Sequence, residues 1–223
     1  MKYECTELVF ILDRSGSMAG LETDTIGGFN SMLNKQKGEP GDAVVTTVLF
    51  DDKYELLHDR IPIQGVQPLN DRQYYVRGCT ALLDAIGRTI AKVKQAHAGI
   101  DPAYRPDKVL FVITTDGYEN ASREYSWETV KNLVEAQKAQ GWEFLFLGAN
   151  LDAVGTAARF GIHADRAVRY HADHRGTQLN YESVSQAVSA FREGCMAPAG
   201  TARGAAWKRE VEEDFATRTQ EDR

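Results

Sequence analysis

The chain has 223 residues, 43% hydrophobic and 26% charged, an ordinary globular composition that excludes collagen-like, fibrous and fully disordered states. Its 26 Lys and Arg against 32 Asp and Glu give a net charge of −6, and the longest basic run is the pair Lys208-Arg209. That balance argues against nucleic acid as the main partner, because phosphate binding needs clustered cations. The three cysteines, Cys5, Cys79 and Cys195, form no CxxC pair, and the first apolar run, residues 8–12, is too short for a signal-peptide core. No apolar segment approaches the ~20 residues of a membrane span. A reduced, cytoplasmic setting is the expectation.

Residues 8–12 read as a strand buried on both faces. Ile26, Phe29, Met32 and Leu33 then mark a helical stripe closed by Gly38 and Pro40. Residues 44–50 form a second strand, and the turn at 51–53 leads into residues 54–57 as a hairpin partner. A loop over 62–75 precedes a helix over 81–98 with Leu83, Ile86, Ile90 and Val93 on one face. Residues 109–113 are another buried strand. Ser126 is a candidate N-cap for a helix closed by Gly141. A strand over 144–147, a short helix from Asp152 to Gly161, a strand over 166–170 and a helix ending near Gly194 complete the series.

This alternation predicts an α/β, doubly wound, mostly parallel sheet of about six strands with one antiparallel edge strand and helices on both faces. We expect one domain over residues 1–194, then a linker and tail over 195–223. Within that tail, Trp207, Val211 and Phe215 recur at i, i+4 and i+8. The spacing predicts an amphipathic helix over 205–219 that docks on this domain, a second copy or another protein. The alternative is a disordered tail with chance spacing.

Ligands of open α/β sheets bind beyond the carboxyl ends of the strands. There the sequence offers Asp13-Arg14-Ser15-Gly16-Ser17 after the first strand, Thr80 before the helix at 81, and Asp116-Gly117 after the strand at 109–113. Two carboxylates and three hydroxyls make an oxygen-only donor set, which suits a hard cation. Each motif alone could be a turn or a helix cap. Together they favour a metal.

Asp13-Arg14-Ser15-Gly16-Ser17 resembles the Asp-x-Ser-x-Ser of von Willebrand factor type A domains, which carry a metal-ion-dependent adhesion site. Thr80 and Asp116 match the remaining two positions of that site, and the strand and loop contexts match over residues 5–194. The resemblance implies a Rossmann-like fold and a divalent cation, Mg²⁺ or Mn²⁺. It implies Ser15, Ser17 and Thr80 as hydroxyl ligands, Asp13 and Asp116 acting largely through water, and a Glu or Asp of a partner protein completing the sphere. The chain looks more like the small intracellular bacterial members, which scaffold or recruit partners, than like the extracellular adhesion members. The run over 142–150 is also similar to bacterial relatives.

A non-catalytic binding module is therefore expected. The alternative is a phosphohydrolase of the haloacid dehalogenase type, which also places an Asp after its first strand. That chemistry wants a second Asp two residues on, where this chain has Ser15. A nucleotide site lacks its phosphate loop, and none of the five histidines lies in a nucleophile context. His171-x-x-His174 lacks further zinc-ligand spacing. Gly27-Gly28 allows close helix packing or a kink. Asp24 is a candidate for indirect contact with the metal loop. Tyr118 and Glu119 are either partner contacts or simply exposed.

Overall fold

The computed structural model describes residues 5–149, 152–201 and 203–221. Its six strands are β1 (Cys5–Asp13), β2 (Asp42–Phe50), β3 (Tyr54–Pro62), β4 (Lys108–Thr115), β5 (Glu143–Ala149) and β6 (Ala167–Tyr170). They form one sheet in the order β3-β2-β1-β4-β5-β6. Only β2–β3 is antiparallel. The helices are α1 (Glu22–Gly38), α2 (Leu82–Ala98), α3 (Trp127–Lys138), α4 (Ala153–Arg159), α5 (His174–Arg192) and α6 (Arg209–Glu221). The mostly parallel, doubly wound sheet with one antiparallel edge strand is the architecture expected from the alternation of elements.

Side chains of a strand alternate between faces, so the continuous apolar run of β1 feeds two cores. Leu8, Phe10 and Leu12 pack with Phe29 and Leu33 of α1 and Val184 and Val188 of α5. Val9 and Ile11 pack with Ile86 and Ile90 of α2 and Val130 and Val134 of α3. Ser126 caps α3 by accepting from Thr129 N at 3.2 Å. Gly141 (φ +86°) follows α3 in the left-handed region that favours glycine. Gly28 lies so close to α5 that a Cβ there would fall 2.3 Å from Tyr181 Cδ2, so Gly28 is a packing feature of the α1–α5 contact, whereas a Cβ on Gly27 would meet open space.

Several elements run past their apolar runs. β1 begins at Cys5 and β4 ends at Thr115, because the polar residues Thr6, Glu7, Thr114 and Thr115 are buried as well. β3 continues to Pro62, with irregular register opposite Val45, Thr47 and Val48. Arg166, expected in the last strand, lies in the 3-10 turn before β6 and is itself buried. Its guanidinium donates to Glu143 Oε2 (3.0 Å), Gly204 O (2.8 Å) and Ala197 O (2.5 Å).

The last contacts hold the C-terminal segment. Trp207 donates from Nε1 to Asp165 O at 2.9 Å, and Lys208 Nζ donates to the carbonyls of Ala164 and Ala167. Trp207 and Val211 join the core beside α5. Phe215 stacks on His171 with ring centroids 4.4 Å apart. α6 thus lies against β6 and α5.

Candidate metal centre

The parallel strands β1 and β4 end side by side, with Leu12 opposite Thr114. Asp13 and Thr115 are the next residues on each strand and share a sheet face. Asp13 is 1% exposed. Its Oδ1 accepts from Ser15 N at 2.7 Å and its Oδ2 from Thr115 Oγ1 at 2.5 Å. Tyr74 donates its hydroxyl to Asp13 O, also at 2.5 Å. The chain then leaves the sheet in a 3-10 turn, Gly16–Met18, whose N-cap is Ser15 without a side-chain capping bond. That frees the Ser15 hydroxyl. Thr80 Oγ1 donates to it at 2.9 Å, and Ser17 Oγ lies 3.1 Å from it.

Three hydroxyls from two distant segments therefore converge. A Cβ on Gly117 would fall 2.6 Å from Thr80 Oγ1, 2.8 Å from Ser17 Oγ and 3.4 Å from Ser15 Oγ, so the backbone after β4 closes onto the same point. Asp116 is buried beside them, and its Oδ1 has no hydrogen-bond partner. Burial pushes the Asp13 carboxyl up to about 6, against the hydrogen bonds from Thr115 and Ser15, and the Asp116 charge adds to the rise. Burial also raises Asp116, opposed by a hydrogen bond from Ser17. Arg14, the nearest cation in sequence, turns away to Asp51 and Glu55.

Thr80 is not a cap: α2 starts after Ala81, with no side-chain bond from the capping residue. The capping comes from the loop after Asp116 instead. Glu119 Oε2 accepts from Leu83 N at 2.9 Å and Ser122 Oγ from Asp84 N at 3.0 Å. Asp84 returns the contact by accepting from the amides of Arg123, Glu124 and Tyr125. Asn120 exchanges two hydrogen bonds with the Thr80 backbone. Glu119 thus turns inward, whereas Tyr118 is exposed at the rim. Asp24 pairs with His174, its Oδ1 2.6 Å from Nδ1. Among the described residues no three His, Cys, Asp or Glu side chains group so as to hold a metal. The hydroxyls are what distinguish this cluster.

Thr115 is the residue that motif spacing missed, and Glu119, expected as a partner contact or an exposed residue, caps α2 instead. The strand alternation that places Asp13 and Thr115 on one face is the signal that could have found Thr115.

No family model matches the sequence, and no curated protein matches it. Solved structures do match. The "von Willebrand factor type A from Catenulispora acidiphila" aligns at TM-score 0.53 and 13% identity, covering 84% of this chain and 43% of that one. The fold is that of a von Willebrand factor type A domain. The pilus adhesin SpaC from Lactobacillus rhamnosus GG aligns at TM-score 0.57 and 13% identity, covering 83% of this chain and 30% of that one. Proximal thread matrix protein 1 from the mussel byssus, with a zinc-occupied MIDAS motif, aligns at TM-score 0.54 and 12% identity, covering 84% and 46%. The chain spans less than half the length of each. In this von Willebrand factor type A fold, the five candidate residues all lie at the carboxyl end of the central strands.

Proposed function

We propose that this chain is a non-catalytic, metal-dependent protein-binding module. Ser15, Ser17 and Thr80 offer hydroxyl oxygens to one divalent cation, Mg²⁺ or Mn²⁺, while Asp13 and Asp116 act largely through water. Bound there, the cation supplies an open coordination position for a Glu or Asp carboxylate of another protein. The observation that carries this reading is Asp116 Oδ1, buried without a hydrogen-bond partner beside three converging hydroxyls.

A buried carboxylate without a countercharge is costly unless something neutralises it. The other buried carboxylate oxygens without an aligned hydrogen bond, Glu7 Oε1 and Asp214 Oδ1, each face an arginine, Arg60 at 3.0 Å and Arg175 at 2.9 Å. Asp116 has no ion pair among the described residues. The zinc-occupied site of the mussel protein and the adhesin role of the pilus protein support the reading by likeness of fold. A recruiting or scaffolding role in the cytoplasm is part of the proposal, supported by the exposed thiols of Cys79 and Cys195. No helix among the described residues is long and apolar enough to cross a membrane.

Calorimetric titration with Mg²⁺ and Mn²⁺ tests the metal, and capture of partners with and without EDTA tests the use, with Asp13→Ala as control. We expect one ion per chain, no binding by Asp116→Ala, and a folded variant. A wild-type chain that takes up neither ion would overturn the reading.

A further inference from the structure

The hydroxyl cluster is assembled from loops far apart in sequence, and one buried carboxylate lies where they meet. Asp51, in the turn between β2 and β3, is fully buried. Its Oδ2 accepts from Arg14 Nε at 3.1 Å and from Arg77 Nε at 2.6 Å. Its Oδ1 accepts from Lys53 N at 2.7 Å, and its carbonyl accepts from Ala81 N at 2.9 Å.

Arg14 lies between Asp13 and Ser15 with a fully buried side chain. Beyond Asp51 it donates to Glu55 Oε2 at 2.6 Å and to Gln73 O at 3.1 Å. Arg77 stands three residues before Thr80 and donates from Nη1 to the Tyr75 hydroxyl at 2.9 Å. Backbone bonds run the same way, from Arg77 N to Arg14 O and from Gly16 N to Gly78 O. Gly78 is left-handed (φ +67°), and a Cβ there would fall 2.2 Å from Asp52 Oδ1, so the Thr80 loop rests directly on the turn that carries Asp51.

A buried ion pair is weak evidence for stability, since apolar residues of the same volume often serve the fold as well or better. Its distinctive property is direction. Two guanidiniums sharing one carboxylate fix the relative placement of the segments that carry them.

We propose that Asp51 is a positioning residue of the candidate metal centre. Through Arg14 it holds the loop of Ser15 and Ser17, and through Arg77 it holds the loop of Thr80. The three hydroxyls are thereby brought together before any ion binds. The purpose of this device rests on the metal reading above; the loop positioning itself does not.

Arg77 is one-third exposed, so Arg77→Gln is expected to fold. Arg77→Lys keeps the charge without the planar fork, and Asp51→Asn keeps the shape. Lys92→Ala, which breaks the exposed Lys92–Asp59 pair, is the control. Two measurements separate positioning from a merely structural role. In the metal-free protein, amide exchange at Gly16 and Ala81 is expected to accelerate about tenfold in Arg77→Gln and Asp51→Asn, as for the loss of one charge-assisted hydrogen bond. Exchange in β1 and β4 is expected to hold, and Lys92→Ala to change nothing. By calorimetry, Mg²⁺ affinity is expected to fall roughly ten- to a hundredfold, with Arg77→Lys intermediate.

Uniform acceleration across the sheet, or unchanged exchange at Ala81, would overturn the positioning. Unchanged Mg²⁺ affinity in Arg77→Gln, with Asp116→Ala inactive, would overturn it and leave the metal reading standing. If the wild-type chain takes up no ion, the metal reading fails, and the exchange rates alone decide the positioning.

Discussion

β1 carries a buried carboxylate near each end, and the two are treated differently. Glu7, near the amino end, is wholly buried. Its Oε2 lies 2.7 Å from His97 Nε2 and its Oε1 lies 3.0 Å from Arg60 Nε. Asp13, at the carboxyl end, is equally buried but receives only neutral donors, Ser15 N and Thr115 Oγ1, and has Asp116 as a neighbouring acid. At one end the fold supplies its own countercharge. At the other it supplies hydroxyls and leaves the negative charge uncompensated. A chain that neutralises one buried acid and not another on the same strand has spent specificity at the second place. The sheet's carboxyl end, where ligands of such folds bind, is where it does so.

The strongest way to break this comparison is to remove one acid from each end. Asp116→Ala is expected to abolish Mg²⁺ binding outright while keeping the fold. Glu7→Gln is expected to leave Mg²⁺ binding unchanged. Calorimetry on the two variants decides; equal losses would mean that the two ends do not differ in kind.

Asp13 gives a second test, by pH. Its folded value of about 6 exceeds the ordinary 3.8, so between those values the folded state binds the proton more tightly than the unfolded chain does. Stability of the metal-free protein should therefore fall as pH rises through that window, by about 3 kcal/mol in total from this group. Asp13→Asn should remove the decline and raise metal-free stability at neutral pH by a similar amount. It should also weaken Mg²⁺ binding. Saturating Mg²⁺ should flatten the wild-type profile, because the ion replaces the proton as countercharge. Urea titrations from pH 4 to 7, with EDTA and with Mg²⁺, measure all three. A metal-free stability that rises over this range would count against the buried, unpaired state of Asp13.

Glu7 should respond in the opposite direction. Replacing it with Gln removes the partner of Arg60 and His97, both largely covered, and should cost about 1–3 kcal/mol of stability. Thermal unfolding of Glu7→Gln beside Asp13→Asn would then show one variant less stable and the other more stable than the parent. Shifts of the same sign would dissolve the contrast.

This contrast also marks where reading the sequence stops. The strand cores were legible because apolar runs such as Leu8 to Leu12 report burial directly. The ends of β1 and β4 were not, because Thr6, Glu7, Thr114 and Thr115 are polar and buried by partners that lie far off in the chain. Glu7 finds His97 ninety residues away. The five candidate site residues stood out because each follows a strand or precedes a helix, and the fold brings Ser15, Ser17 and Thr80 into contact. What holds them was invisible. Asp51 sits in a turn motif with nothing to distinguish it, and no spacing in the sequence marks Glu119 as the residue whose carboxylate caps α2. In the C-terminal segment the spacing of Trp207, Val211 and Phe215 indicated a helix. The buried bonds of Arg166 and Lys208 to backbone carbonyls, which tie the segment down, follow no periodicity.

The smallest expected effect concerns a third kind of carboxylate, half exposed and paired. Asp173 caps α5 by accepting from Gly176 N at 2.8 Å, and Arg218 of α6 grips the same carboxyl. The bond from Arg218 holds the Asp173 carboxyl below its ordinary 3.8. A depressed folded value means that the contribution is present above that pH and is lost as pH falls below it, the reverse of Asp13. Both side chains reach solvent, 26% for Arg218 and 41% for Asp173, so screening keeps the gain small. Arg218→Ala should therefore cost at most about 1 kcal/mol at neutral pH and low salt. The cost should shrink in 1 M salt and decline as pH falls below 3.8. Mg²⁺ affinity should not move, because Asp173 lends nothing to the hydroxyl cluster. A loss of several kcal/mol that persists in high salt would mean that α6 is held to α5 mainly through this pair, and that the packing of Trp207 and Val211 contributes less than their burial implies.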